Sequence, residues 1–212
     1  MCPVFTSKTD KSDDEHGYLH NLQFLVVEDS SFMREILREV LMHFDVRQIR
    51  EANDGAEALS IMKTWSPDII LLDWEMQPFD GIEFTRTVRN QVDSEDRFVP
   101  IIMVSAHSEF WRIQQARNVG VNEFLVKPVS PRSLFSRIRA VIERPRQYIS
   151  APGFFGPDRR RQDLQTAQER RADNQEISVP DEQLMEQDQI NAMFNPDSDH
   201  PDDQVQEPTA KP

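Results

Sequence analysis

Four side-chain types stand out for the chemistry they could share: the adjacent acids Glu28 and Asp29, the acid Asp73, the hydroxyl of Ser105 and the amine of Lys127. Each follows a short apolar run, Leu22–Val27, Ile69–Leu72, Val99–Val104 and Glu123–Val126 respectively. Taken singly, each has an ordinary explanation. An Asp after a strand opens a loop or caps a helix, an acid pair suits the positive end of a helix, Ser105 fits a turn, and a lysine is usually a solvated surface group. Taken together, at successive strand ends, they make a set. Three carboxylates gathered at one place repel, by about 4 kcal/mol for a pair at ~4 Å and an effective dielectric of ~20. Lys127 offsets part of that charge. A hard divalent cation is the natural remainder, and Mg²⁺ favours a few carboxylates together with water and a phosphoryl oxygen. Such a set suits phosphoryl transfer onto a carboxylate. Asp73 would be the nucleophile, Lys127 and Mg²⁺ would neutralise the equatorial oxygens, and Ser105 would donate to a phosphoryl oxygen once one is present.

The elements that must position this set follow from hydrophobic patterning. Pro67–Asp73 holds four consecutive aliphatics, the pattern of a strand buried on both faces, as does Val99–Val104. Leu22–Val27 is a first strand, Val46–Arg50 a short edge strand, and Glu123–Val126 a fifth. Between them Phe32, Met33, Ile36, Leu37, Val40, Leu41 and Phe44 recur at helical spacing after a Ser30 or Ser31 cap. Ala56–Trp65, Ile82–Asn90 and Glu109–Val119 are the next helices, the last stopped by Gly120. Ser130 and Pro131 start a fifth helix with Leu134, Phe135, Ile138, Val141 and Ile142 on its apolar face. Strands alternating with helices across short loops call for an α/β fold with a doubly wound parallel sheet covered on both sides. In such sheets ligands bind beyond the carboxyl ends of the strands, where the acids and the lysine fall.

The rest of the chain is read from composition. Of 212 residues 38% are hydrophobic and 29% charged, and the net charge of −13 argues against nucleic acid as a partner of the whole chain. The single cysteine, Cys2, excludes an internal disulfide and fits a reducing compartment. No stretch approaches the ~18 apolar residues of a membrane span, and the expected location is the cytoplasm. Residues 1–20 read as a flexible leader. After Glu143 the composition turns to Pro, Gly, Gln, Asp and Glu, so 145–212 is expected to be a largely disordered tail. Two islands interrupt it, Phe154–Arg161 and Glu182–Phe194.

At this point the residues carry a resemblance. Residues from about 21 to 144 resemble the receiver domain of two-component response regulators, of the chemotaxis type. The matching pieces are Val26-Val27-Glu28-Asp29, Leu71-Leu72-Asp73-Trp74-Glu75-Met76, Asp80-Gly81, Val104-Ser105-Ala106 and Phe124-Leu125-Val126-Lys127-Pro128. The resemblance implies a flavodoxin-like sheet of strand order 2-1-3-4-5 with five helices, an order for which a member of this family is a standard example. It implies that Asp73 accepts a phosphoryl group from a histidine kinase or phosphotransfer protein. Asp29 would bind Mg²⁺ directly, Glu28 through water, and the Glu75 backbone carbonyl would be a further ligand. Ser105 and Phe124 would be a switch pair acting on a downstream protein, and Lys127-Pro128 would be cis. The chain would promote only the gain and loss of its own phosphoryl group. One feature departs from the pattern: proline follows Asp73 one residue late, at Pro78, with Gln77 in its place; the resemblance also implies that the phosphoryl lifetime would be tuned by Glu75 and His107. Residues 186–194 resemble short peptides that dock on chemotaxis receivers. The candidate docking residues are Leu184, Ile190, Met193 and Phe194, and the face expected for them is that of helix four, strand five and helix five, in the same chain or another. Two other readings are open on sequence alone: a phosphatase with Asp73 as nucleophile and Glu75 as acid, and a transcription regulator with an unrecognised output element.

Overall fold

The computed structural model describes residues 17–90, 95–158 and 183–194. Five parallel strands, β1 (Gln23–Val27), β2 (Gln48–Ala52), β3 (Ile69–Asp73), β4 (Ile101–Ser105) and β5 (Glu123–Val126), lie in the order β2-β1-β3-β4-β5. Helices α1 (Ser31–His43), α2 (Gly55–Met62), α3 (Gly81–Asn90), α4 (Phe110–Val119) and α5 (Pro131–Glu143) join them. A further helix, α6 (Gln187–Phe194), brings the number in the described residues to six, one more than the core connections require. Among the described residues no helix is long and apolar enough to cross a membrane.

The sheet has this form because its inner strands are apolar on both faces. β3 and β4 are buried at every position. Alternate side chains of a strand point to opposite faces, so the aliphatics divide between two cores. Leu25, Val27, Ile70, Leu72, Ile101, Met103 and Phe124 pack toward α2, α3 and α4. Phe24, Val26, Leu71, Ile102 and Leu125 pack toward α1 and α5. β2 alternates exposed and partly buried residues, as an edge strand does. The register aligns the strand ends: Val27 lies beside Ala52 and Leu72, Asp73 beside Val104, and Ser105 beside Val126.

Local signals set the helix starts. The Ser30 hydroxyl accepts from the Met33 amide, the Asp54 carboxylate from the Ala56 and Glu57 amides, and Ser130 and Ser133 form a reciprocal capping box. Gly120 ends α4 at φ 102°, a conformation that glycine adopts without a Cβ penalty.

Several boundaries differ from the sequence expectation. β2 lies two residues later than Val46–Arg50, because Val46 is spent in the core below α1, its amide donating to the Leu41 carbonyl. α2 ends at Met62, before the expected Trp65. The leader contributes to the fold from Gly17 onward, and Leu19 is fully buried. The start of the tail is not open chain: β6 (Tyr148–Ala151) and β7 (Phe154–Pro157) form an antiparallel hairpin. The breakers at Pro152 and Gly153 sit between its strands, with Gly153 at φ 78°. Phe155 packs edge-on to Phe98 at 5.2 Å, and the Arg97 guanidinium lies over its ring. Beneath the hairpin Arg89 is buried. It donates to the carbonyls of Gly120, Arg97 and Val99 at 3.0, 2.8 and 2.8 Å and to Asn122 Oδ1 at 3.0 Å. The expectations for residues 159–182 (Arg159–Arg161 among them), 195–212 and 1–16 lie outside the described residues.

Candidate functional site

The site sits at the carboxyl end of the sheet and follows from its register. β1 delivers Glu28 and Asp29, β3 delivers Asp73, β4 Ser105 and β5 Lys127. The Lys127 Nζ donates to Glu28 Oε2 and to Asp73 Oδ1, each at 2.9 Å. One carboxylate oxygen from each of Glu28, Asp29 and Asp73 lies within 4.8 Å of the others. Glu28 and Asp73 are buried and Asp29 is exposed, so the cluster opens to solvent on one side. The five residues singled out from the sequence are therefore brought to one rim.

Backbone contacts hold each group in place. The Glu28 amide donates to the Ala52 carbonyl at 3.1 Å, and Arg34 donates to the carbonyls of Glu28 and Asp29 at 2.6 and 3.2 Å. The Lys127 amide donates to the Ser105 carbonyl at 2.7 Å, and the Lys127-Pro128 bond is cis, as is Gln77-Pro78. Gly81 lets α3 close against the loop after Asp73: its amide donates to the Trp74 carbonyl at 3.0 Å, and a Cβ there would meet the Asp73 carbonyl oxygen at 2.3 Å. The spacing Asp80-Gly81 thus has a steric reason.

The electrostatics favour a further positive charge at the cluster. Burial raises the Asp73 pKa from 3.8 to about 6, with the Lys127 hydrogen bond pulling it down and the Glu28 charge pushing it up again. For Lys127 burial lowers the pKa, but hydrogen bonds to Glu28 and Asp73 outweigh it and the net direction is upward. One ammonium shared by two buried carboxylates leaves Asp73 incompletely compensated. The donors are all oxygens, which suits a hard divalent cation such as Mg²⁺.

Around the rim stand the other singled-out residues. The Ser105 side chain is fully buried and its Oγ accepts from the His107 amide at 3.1 Å. The Glu75 side chain is exposed and reaches the His107 Nε2 at 2.5 Å, while His107 Nδ1 faces Glu109 at 3.3 Å. Arg112 joins this group, 3.6 Å from Glu75. Phe124 is buried, edge-on to Trp74 at 6.3 Å.

The candidate docking residues divide. Ile190 and Phe194 are buried against the α4 side of the sheet, and Met193 packs partly against it. Leu184 does not belong with them: the residue is 67% exposed, and its backbone is what is engaged, in an antiparallel bridge with Glu109. Met185 points inward instead. Sequence reasoning also missed Gln187, whose side-chain amide reaches β5; a glutamine in a polar run ahead of Ile190 carries no signal for such a contact.

A family model described as the response regulator receiver domain matches residues 24–139. Among curated proteins, the chain is similar to the chemotaxis protein CheY-3 of Vibrio cholerae serotype O1. The identity is 32% over 124 residues, covering 58% of this chain and 94% of that protein. It is also similar to the chemotaxis protein CheY of Pseudomonas aeruginosa, 32% identical over 123 residues, covering 58% of this chain and 98% of that protein. Among solved structures, the chemotaxis response regulator CheY4 of Vibrio cholerae matches with a TM-score of 0.53 and 31% identity, covering 57% of this chain and 98% of that one. A chain of the CheX-CheY-BeF3-Mg+2 complex from Borrelia burgdorferi matches with a TM-score of 0.53 and 26% identity, covering 57% of this chain and 89% of that one.

Proposed function

The chain belongs to the response regulator receiver domain family, and from that premise we propose that Asp73 is its phosphoacceptor, charged by a histidine kinase or a phosphotransfer protein. The observation that supports this reading best is the Lys127 ammonium bridging Glu28 and Asp73 at 2.9 Å each, with the Asp29 carboxylate alongside. In the transfer, the P–N bond to the donor imidazole breaks as a P–O bond forms to an Asp73 carboxylate oxygen, and the departing imidazole takes up a proton. Lys127 is placed to hold negative charge on the phosphoryl oxygens. A divalent cation, Mg²⁺, held by Glu28, Asp29, Asp73 and the Glu75 carbonyl, would supply further positive charge at the same oxygens. Glu75 and His107 stand at the mouth of the site and are positioned to govern the entry of water. The chain acts on no external substrate in this reading; it promotes the gain and loss of its own acyl phosphate.

The output is a change in protein binding, in chemotaxis or motility, within the cytoplasm. The Ser105 hydroxyl turns from its bond with the His107 amide toward the phosphoryl group, and Phe124 follows into the space behind it. Moving a two-state balance from 1:99 to 99:1 takes about 5.5 kcal/mol. One added charge-assisted hydrogen bond, at about 1.5–3 kcal/mol, supplies less than that. Binding of the downstream protein completes the shift.

The test is labelling by acetyl phosphate with Mg²⁺. The wild-type chain should gain a hydroxylamine-labile phosphoryl group, and Asp73→Asn should not. Undiminished labelling of that variant would place the acceptor elsewhere.

A further inference from the structure

Residues 183–194 sit on the receiver although the family match ends at residue 139, so the seat belongs to the family domain and its occupant does not. Twenty-five residues, 158–182, separate this segment from the hairpin. An eight-residue helix such as α6 is too short to persist alone in water. Its conformation comes from what it touches.

Three sets of contacts hold it. At one end the segment pairs with the start of α4: the Phe110 amide donates to the Gln183 carbonyl at 3.0 Å and the Met185 amide to the Ser108 carbonyl at 2.8 Å. In the middle the Gln187 side-chain amide meets the outer edge of β5. The Val126 amide donates to its Oε1 at 2.7 Å, and its Nε2 donates to the Phe124 carbonyl at 3.0 Å. A primary amide has the donor and acceptor of a peptide group, so Gln187 serves β5 as a strand neighbour would. Along the helix Ile190 and Phe194 are fully buried, and the Phe194 ring stacks on Phe124 at 6.3 Å. The fastening at Ser108 and Phe110 lies at the far end of the connection that leaves Ser105 and passes through His107, so the segment touches both the switch aromatic and the chain that leads from the switch hydroxyl.

We propose that residues 183–194 are a releasable cover, held in the same chain, for the face formed by β5 and α4. A protein partner presenting an amphipathic helix reaches that face by displacing them. The contacts are few enough for exchange: one side-chain amide pair, two backbone bonds, two buried apolar anchors with Met185 and Met193 partly buried beside them, and the Arg146 guanidinium over the Phe194 ring. Attachment to the same chain gives the cover the advantage of an intramolecular ligand. The inference takes from the proposed function only the existence of a protein partner.

The experiment uses the full chain and a fluorescein-labelled peptide with the sequence of residues 183–194, without metal or phosphoryl donor. The double variant Ile190→Ala/Phe194→Ala should bind the peptide at least about tenfold more tightly than wild type, whose own segment competes. Its Val126 amide should exchange with solvent about tenfold faster, while the Leu25 and Leu71 amides keep their protection. Equal peptide affinity of the two chains, or unchanged exchange at Val126, overturns the proposal. Protection lost throughout β1 and β3 also overturns it, because α6 would then be an integral part of the core. Phosphorylation enters none of these readouts, so their failure leaves the assignment of Asp73 standing, and failure of that assignment leaves them standing.

Discussion

Replacing Asp73 by asparagine should stabilise the metal-free protein at neutral pH. Burial holds the Asp73 carboxyl at a pKa of about 6 against 3.8 in an ordinary setting, even with Lys127 donating to it. Below pH 3.8 the carboxyl is protonated in both the folded and the unfolded chain. Between 3.8 and about 6 the unfolded chain has released the proton and the folded chain retains it, so folding grows less favourable as the pH rises. The loss levels off above the folded value. At about 1.4 kcal/mol per pH unit it amounts to about 3 kcal/mol. The side-chain amide of the Asp73→Asn variant has no such titration, and the hydrogen bond from Lys127 that it weakens is already included in the carboxyl's net value. Urea unfolding in EDTA from about pH 4 to about pH 7 measures the difference. The variant's advantage should be small at the acid end and reach about 2–3 kcal/mol at neutral pH, or about 5–10 °C in Tm. Added Mg²⁺ should then stabilise wild type more than the variant, since it binds only the folded cluster. A stability difference that stays flat across this range, or a wild type more stable than the variant at neutral pH without metal, refutes the reasoning.

Lys127→Met should leave Glu28 and Asp73 buried without their shared ammonium, costing about 3 kcal/mol at neutral pH by urea unfolding. Labelling of this variant by acetyl phosphate should persist at a reduced rate, while partner capture should no longer depend on labelling. Gly81→Ala puts a Cβ 2.3 Å from the Asp73 carbonyl oxygen, so the nucleophile's loop must move. Labelling measured with acetyl phosphate should slow by about a hundredfold, the usual consequence of misplacing a reacting group by about 1 Å. Arg89→Met strips donors from three carbonyls, two of them buried, and from the buried Asn122 Oδ1, and should cost about 3–5 kcal/mol in urea unfolding. Its labelling rate should stay near wild type, since Arg89 lies at the opposite end of β4 from Ser105.

The doubly buried runs at Ile69–Leu72 and Ile101–Val104 made the parallel sheet legible, because a strand with no polar face admits few other environments. Glu28, Asp29, Asp73, Ser105 and Lys127 were legible for a related reason: each ends such a run, and a parallel register brings run-ends together. What stayed hidden depends on partners distant in sequence. Arg89 looks like a solvated helix residue until Asn122 and the carbonyls before β4 are seen around it. The hairpin at 148–157 was concealed by its Pro and Gly, which read as breakers but form its turn; its stability comes from Phe98 and Arg97, some fifty residues earlier. Leu184 looked like an anchor because apolar residues usually are, yet the segment uses only its backbone there.

Gln187 has a consequence for handling the molecule. β5 is a border strand of the sheet, and a bare border offers its N–H and C=O groups to any other chain in extended conformation. With the glutamine in place, the Val126 and Phe124 groups are already satisfied. Preparations trimmed at the hairpin to obtain a tidy domain would uncover that border together with the Phe124 ring. They should self-associate as concentration rises, because the segment at 183–194 also shields that border from neighbouring molecules.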